Sequence, residues 1–263
     1  MAPPAAPPSI PREVELGAAD FYRRYGRPSQ PVVITGVADR WEARRKWTFE
    51  WLSATHGHVR VPIGDKYGVV RDQREISLAE YLARVQAERA GGSGYLANLD
   101  LSRIIPSLAR DFVFPPYPPI DRLTLVNFWI GPEGTLAKLH RDFAYNLLAQ
   151  LRGSKRVLLF SPARTPALGE HGATWYAAYS AHDPEEPGSD ALQLPRPVEP
   201  DYDFTLSEGE ILFIPYGWWH RVQSLQPSIS VNLWWWTVPM FLARLPHLAR
   251  DKGKELVRGL MGS

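Results

Sequence analysis

The chain contains no cysteine. Disulfides, thiolate zinc sites, iron–sulfur clusters and cysteine nucleophiles are therefore excluded together. Any metal must be held by histidine nitrogen and carboxylate oxygen. A surplus of either charge is also missing: 30 Lys and Arg stand against 28 Asp and Glu, a formal net charge of +2. A sequence-independent grip on nucleic acid usually needs a concentrated basic excess, so that class of function is disfavoured. No basic start followed by an apolar run marks a leader. One uncharged stretch, residues 222–243, includes Gln223, Gln226, Pro227, Asn232 and Pro239. It reads as a buried strand with flanks rather than a membrane span. These absences lead us to expect a cytoplasmic protein with no membrane contact.

What is present is 263 residues with 44% hydrophobic and 22% charged composition, enough for one large domain or two small ones. Ten tryptophans point to a sheet-rich core or an aromatic pocket. Residues 1–12 read as a disordered Pro/Ala tail. A short helix is expected over 18–25, with Phe21, Tyr22 and Tyr25 facing inward. A strand follows over 31–36, then a helix capped by Thr48. An edge strand is expected over 59–63, since Pro62 cannot donate a ladder bond. The capping box Ser77-Leu-Ala-Glu80 opens a further helix.

From Leu123 the pattern turns to strands, at 123–130, 143–151, 155–160, 203–206, 210–214 and 228–237. Residues 163–202 are rich in Pro, Gly and Ala and read as a long excursion of little regular structure, usually functional inside a domain. Short strands with turn residues between them suggest a small barrel or jelly roll. The tail 241–260 reads as helices broken near Pro246.

The chemistry concentrates in His140-Arg141-Asp142 and in His220, eighty positions on. Residues two apart in an extended segment point the same way, so His140 and Asp142 can aim at one spot while Arg141 faces away. His220 follows the strand that ends at Pro215, and a barrel can bring it alongside. Two imidazoles and one carboxylate on one face of an octahedron match the arrangement of non-heme Fe(II) oxygenases. The same ligands also tolerate Mn, Co, Ni or Zn. A hydrogen-bonded surface pair would explain His140 and Asp142 equally well, were it not that both segments sit at strand ends. His56, His58, His171, His182 and His247 have no ligand-like partners. Trp234 and Trp236 share a strand face opposite Trp235.

Three segments carry a resemblance: Leu139-His-Arg-Asp-Phe-Ala-Tyr-Asn-Leu-Leu-Ala-Gln-Leu-Arg-Gly-Ser-Lys155, Gly209-Glu-Ile-Leu-Phe-Ile-Pro-Tyr-Gly-Trp-Trp-His220 and Ser230-Val-Asn-Leu-Trp-Trp235. Together with residues 31–41 and Gly94-Tyr-Leu-Ala-Asn98, the sequence resembles the cupin-like JmjC oxygenases, which depend on Fe(II) and 2-oxoglutarate. The likeness runs over roughly residues 21–236.

It implies a mainly β double-stranded β-helix, a jelly-roll or cupin barrel, with flanking helices. The catalytic domain would be 13–238, followed by a helical extension 239–263 that is a candidate homodimerisation element. It implies His140, Asp142 and His220 as iron ligands, with no catalytic residue beyond them. Lys155 would neutralise the distal carboxylate of 2-oxoglutarate, since a dianion desolvated inside a barrel needs a countercharge. Without the resemblance Lys155 reads as a solvated residue after a turn. Asn146 and Asn232 match polar barrel positions and would hydrogen-bond the cosubstrate, or else satisfy backbone groups. Tyr95 would reach the distal carboxylate, or pack in the core. Several members carry Ser or Thr three residues before the first ligand; here that position is Ala137, so either Tyr95 and Lys155 suffice or Thr135 substitutes through a shifted loop.

The implied activity is hydroxylation, with Fe(II), 2-oxoglutarate and O2 required. The carboxylate ligand is Asp, as in the family's hydroxylases, whereas its histone demethylases commonly use Glu. The expected substrate is an amino-acid side chain in a peptide or protein. A tRNA-base or small-molecule hydroxylase, and a non-catalytic metal-binding protein, are the other readings.

Overall fold

The segment Ser230-Val-Asn-Leu-Trp-Trp235 alternates polar with apolar side chains, and the fold sends the two sets to opposite faces of one sheet. The structure, a computed structural model, describes residues 8–65, 75–87, 94–118, 123–183, 185 and 198–261. In chain order its strands are β1 (Arg12–Val14), β2 (Val32–Thr35), β3 (Arg60–Pro62), β4 (Glu75–Ser77), β5 (Leu96–Asp100), β6 (Leu123–Gly131), β7 (Leu136–Asp142), β8 (Tyr145–Arg152), β9 (Lys155–Phe160), β10 (Glu170–His171), β11 (Ala177–Ser180), β12 (Tyr202–Leu206), β13 (Ile211–Ile214), β14 (Trp219–Ser224) and β15 (Ser228–Trp236). A seven-stranded sheet of order β1-β2-β13-β8-β15-β6-β5 faces a six-stranded sheet of order β10-β11-β7-β14-β9-β12. Strands β3 and β4 form a separate pair. This is the expected jelly roll.

Period-two alternation explains why one strand serves two environments. Val231, Leu233 and Trp235 of β15, with Leu147, Ala149 and Leu151 of β8, join the large core that also holds Phe21, Trp47, Leu52, Leu78, Tyr81 and Leu82. That core lies between the large sheet and the N-terminal helices. The helices are α1 (Ala18–Phe21), α2 (Glu42–Lys46), α3 (Phe49–His56) and α4 (Leu78–Ala87). The caps act as expected: the Trp51 N–H donates to Thr48 Oγ1, and the Glu80 N–H to Ser77 Oγ. The inward face of the large sheet carries Asn146, Gln150, Ser230 and Asn232, all buried. Apolar residues of both sheets, among them Val33, Leu148, Val157, Leu159, Leu212, Ile214 and Val222, fill the narrow end.

Four expectations change. The tail expected over 1–12 is corrected at its end, because Ile10 is buried in the inter-sheet core and Arg12 opens β1, so residues 10–12 are tied down; residues 1–7 lie outside the described residues. The excursion 163–202 contributes helix α5 (Thr165–Leu168) and strands β10 and β11, because β11 finds an open edge on β7. His220 lies within its own strand, β14, not beyond one: Gly217, at φ +77°, reverses the chain after Pro215 and starts it again. The C-terminal extension is one helix, Val238–Met261, running through Pro246. The carbonyl deprived of a partner there belongs to Leu242, which is exposed, so water can satisfy it. Val238, Leu242 and Leu245 form an exposed apolar row along this helix.

Candidate active site

Strand β7 supplies two of the candidate ligands and its neighbour β14 the third. His140 and His220 are direct ladder partners, and Asp142 lies two residues along β7 on the same face. Arg141 points the other way, where its guanidinium stands 5.1 Å from the Trp219 ring centroid and pairs with Glu170. A register shift separates the pairs His220 with His140 and Val222 with Ala137. Lys138 and Leu139 thus face Arg221 alone, a bulge of the kind that re-aims side chains near active sites.

The three ligand atoms lie within 4.8 Å of one another. His140 Nε2 is 3.7 Å from Asp142 Oδ1, and His220 Nε2 is 3.6 Å from Asp142 Oδ2. Both tautomers follow from the backbone. His140 Nδ1 sits 2.6 Å from the Lys138 carbonyl and His220 Nδ1 3.1 Å from the Trp218 carbonyl. A carbonyl only accepts, so each Nδ1 carries the proton and each Nε2 turns a lone pair to the shared point. Burial, then the neighbouring His140, hold the His220 pKa well below the ordinary imidazole value, which keeps that ring neutral.

Burial raises the pKa of Asp142, which is 3% exposed. Its Oδ2 accepts from Asn146 Nδ2 at 3.3 Å, whereas its buried Oδ1 has no hydrogen-bond partner. A buried carboxylate oxygen without a donor is costly, and a cation between it and the two Nε2 atoms would satisfy it. The donor set, two imidazoles and one carboxylate with no sulfur, therefore fits Fe(II).

These groups open into a cavity of about 400 Å³, counting the space at its mouth, lined among others by Tyr95, Trp129, Asn146, Lys155, Asn232 and Trp234. Lys155 begins β9 beside β14, after the turn at Gly153. That glycine has φ +70°, and a Cβ there would stand 2.4 Å from the Pro227 carbonyl oxygen. Lys155 is 2% exposed, and no carboxylate pairs with it among the described residues. Its ammonium donates to the Tyr95 hydroxyl at 3.2 Å. Burial pulls its pKa down to about 7 and pushes that of Tyr95 up. One end of the cavity is thus a metal-ready triad, and the wall carries a buried lysine amine that lacks a carboxylate partner among the described residues.

Of the residues singled out in the sequence, His140, Asp142, His220, Lys155, Tyr95, Asn146 and Asn232 all line this cavity. Thr135 is not among the lining residues. It is buried with its hydroxyl bonded to the Pro132 carbonyl at 3.0 Å and to Ser224 Oγ at 2.9 Å. Ala137 does line the cavity, with no hydroxyl to offer. Trp129, which the sequence did not single out, also lines the cavity, as does Trp234, one of the three β15 tryptophans of which one could be expected to line a pocket. Trp234 Nε1 lies near the Asp142 carboxylate without hydrogen-bonding it.

Beyond the site, Arg221 on β14 reaches Asp183 at 3.4 Å and Glu185 at 2.8 Å. Asp183 also accepts from the Leu139 N–H at 3.3 Å. One carboxylate thus ties together the residues next to both histidines. No helix among the described residues is long and apolar enough to cross a membrane.

The cupin-like domain family matches residues 18–240. The chain is 35% identical over 224 residues to lysine-specific demethylase 8 of Xenopus tropicalis, covering 82% of this chain and 50% of that protein. It is 34% identical to lysine-specific demethylase JMJ30 of Arabidopsis thaliana, covering 84% and 53%. Jumonji C domain-containing protein 5 of Drosophila melanogaster is 31% identical, with 82% and 57% covered. The chain spans about half the length of the curated relatives it matches. Fe(II), 2-oxoglutarate and O2 serve the oxygenases of this family, and the triad suits the first of them. A match over most of the chain, carried by relatives more than 30% identical, shows that this protein belongs to the cupin-like JmjC family of Fe(II)- and 2-oxoglutarate-dependent oxygenases.

Proposed function

We propose that this chain is a dioxygenase that hydroxylates an amino-acid side chain of a peptide or protein. His140 Nε2, Asp142 Oδ1 and His220 Nε2 would hold the iron. Lys155 receives the distal carboxylate of 2-oxoglutarate, and Tyr95 keeps the ammonium aimed. Bound iron with 2-oxoglutarate and O2 supplies the oxidant: one oxygen atom enters a C–H bond as hydroxyl, and the keto acid leaves as succinate and CO2.

The observation that carries this reading is Lys155, a buried amine with no carboxylate partner among the described residues, on the wall of the cavity that holds the triad.

The test is succinate formation with Fe(II), 2-oxoglutarate and candidate peptides, with His140→Ala and Lys155→Ala as controls. Substrate-dependent succinate that both variants abolish supports the reading. No succinate with any candidate, with wild type and His140→Ala alike, favours a non-catalytic metal-binding protein.

The names of the relatives favour a second reading, with an N-methyl group on lysine as the site of the same oxygen insertion. Hydroxylation next to nitrogen gives a carbinolamine that sheds formaldehyde, whereas hydroxylation elsewhere gives a stable product heavier by one oxygen. Mass spectrometry of the peptide separates them.

A further inference from the structure

Three hydrogen bonds run from Trp129 to the ligand carboxylate across four strands of the barrel. Trp129 Nε1, on β6, donates to Asn232 Oδ1 at 2.9 Å. Asn232 Nδ2, on β15, donates to Asn146 Oδ1 at 3.2 Å. Asn146 Nδ2, on β8, donates to Asp142 Oδ2 at 3.3 Å, on β7. Asn146, Asn232 and Asp142 are all at most 5% exposed, so water does not compete.

The polarity of this chain is forced at both ends. An indole N–H can only donate, and an ionised carboxylate can only accept. An amide can do either with its two ends, and a pair of amides alone could run in either direction. Starting from the indole, Asn232 must turn its oxygen to Trp129 and its NH2 to Asn146. Asn146 must then turn its NH2 to Asp142. Starting from the carboxylate gives the same assignment in reverse. Without the indole N–H only the carboxylate would set the direction, and inversion of the two amides would be opposed at one end of the chain instead of two.

We infer that Trp129 is a positioning residue for the metal site, acting through Asn232 and Asn146 to hold an N–H against Asp142 Oδ2 and so reserve Oδ1 for the metal. This inference rests on the metal-site reading above. Each amide NH2 has two hydrogens and the relay takes one, so the relay is compatible with both asparagines also donating to a cosubstrate. Partners that orient metal ligands typically matter 10- to 100-fold in metal affinity. Trp129 is three bonds from the carboxylate, and its effect should be the smaller one.

The test is Mn(II) affinity by calorimetry, together with the visible spectrum of the Co(II)-loaded protein, in Trp129→Phe, Asn146→Ala and the double variant. Phenylalanine keeps an aromatic ring in the wall and removes the N–H. We expect Trp129→Phe to weaken Mn(II) binding about three- to tenfold and Asn146→Ala about 10- to 100-fold. In the Asn146→Ala background, Trp129→Phe should have no further effect, and it should shift the Co(II) spectrum only when Asn146 is present. Asn232→Ala provides the same cycle should Trp129→Phe fail to fold. Wild type that binds no Mn(II) overturns the metal-site reading itself. Wild type that binds while Trp129→Phe binds equally well, or two losses that simply add, overturns the relay and leaves the site intact.

Discussion

His140 and His220 face each other as ladder partners on adjacent antiparallel strands, with ring centroids 4.1 Å apart. Both Nδ1 atoms are turned to backbone carbonyls, so the two Nε2 lone pairs and the unpartnered Asp142 Oδ1 converge without any rearrangement.

A preformed site makes metal binding a stabilising event. At a metal concentration a hundredfold above Kd the native state gains about 2.7 kcal/mol, a rise in Tm of about 5–10 °C for a chain of this size. Thermal unfolding of wild type with and without Mn(II) should show that rise, and His220→Ala should show none. Asp142→Asn removes a buried charge that desolvation disfavours, so its metal-free Tm should equal or exceed wild type while its response to metal is lost. A metal-free Asp142→Asn protein much less stable than wild type would contradict this.

Lys155 predicts an unusual pH dependence. Burial lowers its folded pKa to about 7, while the unfolded side chain titrates near the ordinary lysine value. Between those two values the unfolded state binds the extra proton, so stability rises with pH, by up to about 1.4 kcal/mol per unit from this group. Denaturant unfolding of the metal-free protein from pH 7 to 10 should show this contribution, and Lys155→Met should lack it. Saturating 2-oxoglutarate with Mn(II) places a carboxylate against the ammonium, raises its pKa and should flatten the slope. Identical profiles for wild type and Lys155→Met would count against the lysine being buried unpaired.

How much of this was legible in the sequence depended on whether a feature is local. His140 and Asp142 announce a shared face by their spacing alone, and the strands bearing Asn146, Lys155 and Asn232 announce themselves by composition. Strand β14 did not, because Trp-His-Arg-Val-Gln-Ser follows a proline and a glycine turn and carries a charge inside the sheet. That charge, Arg221, is tolerated because Asp183 and Glu185 pair with it from far along the chain. Strand β11 was hidden in a Pro- and Gly-rich segment, since its pairing comes from the edge of β7 rather than from its own sequence. Trp129 sits in an apolar run like any core tryptophan; only the position of its N–H relative to Asn232 distinguishes it. Thr135 shows the converse, a hydroxyl near the motif that the fold commits to Ser224 and Pro132.

The Asp183–Arg221 pair is nearly fully buried, at 5% and 9% side-chain exposure. Removing one partner of such a pair costs about 3–5 kcal/mol. Glu185 retains part of the guanidinium, so Asp183→Ala should fall near the lower end, a loss of about 6–12 °C in Tm. Because Asp183 also accepts from the Leu139 N–H, its loss should weaken Mn(II) binding as well. A fall in Tm with unchanged metal affinity would confine the pair to stability.

The C-terminal helix holds the segment beside the cavity mouth. Arg244 Nε donates to the Trp175 carbonyl at 2.9 Å, and the Trp175 N–H donates to Asp251 at 2.8 Å. Tyr176 stacks on Trp234, a cavity residue, with centroids 6.0 Å apart. Arg244→Met should therefore speed amide exchange over residues 173–177 and raise KM for a peptide substrate several-fold, with Mn(II) affinity unchanged. Unaltered exchange in that segment would show that the helix does not restrain it.

The most direct measurement is a crystal structure of the protein soaked anaerobically with Mn(II) and 2-oxoglutarate, with anomalous scattering to locate the metal. The account predicts a single site bonded to His140 Nε2, Asp142 Oδ1 and His220 Nε2, with the far carboxylate of the keto acid at Lys155 Nζ. Metal elsewhere, or a keto acid whose far carboxylate lies away from Lys155, would contradict it.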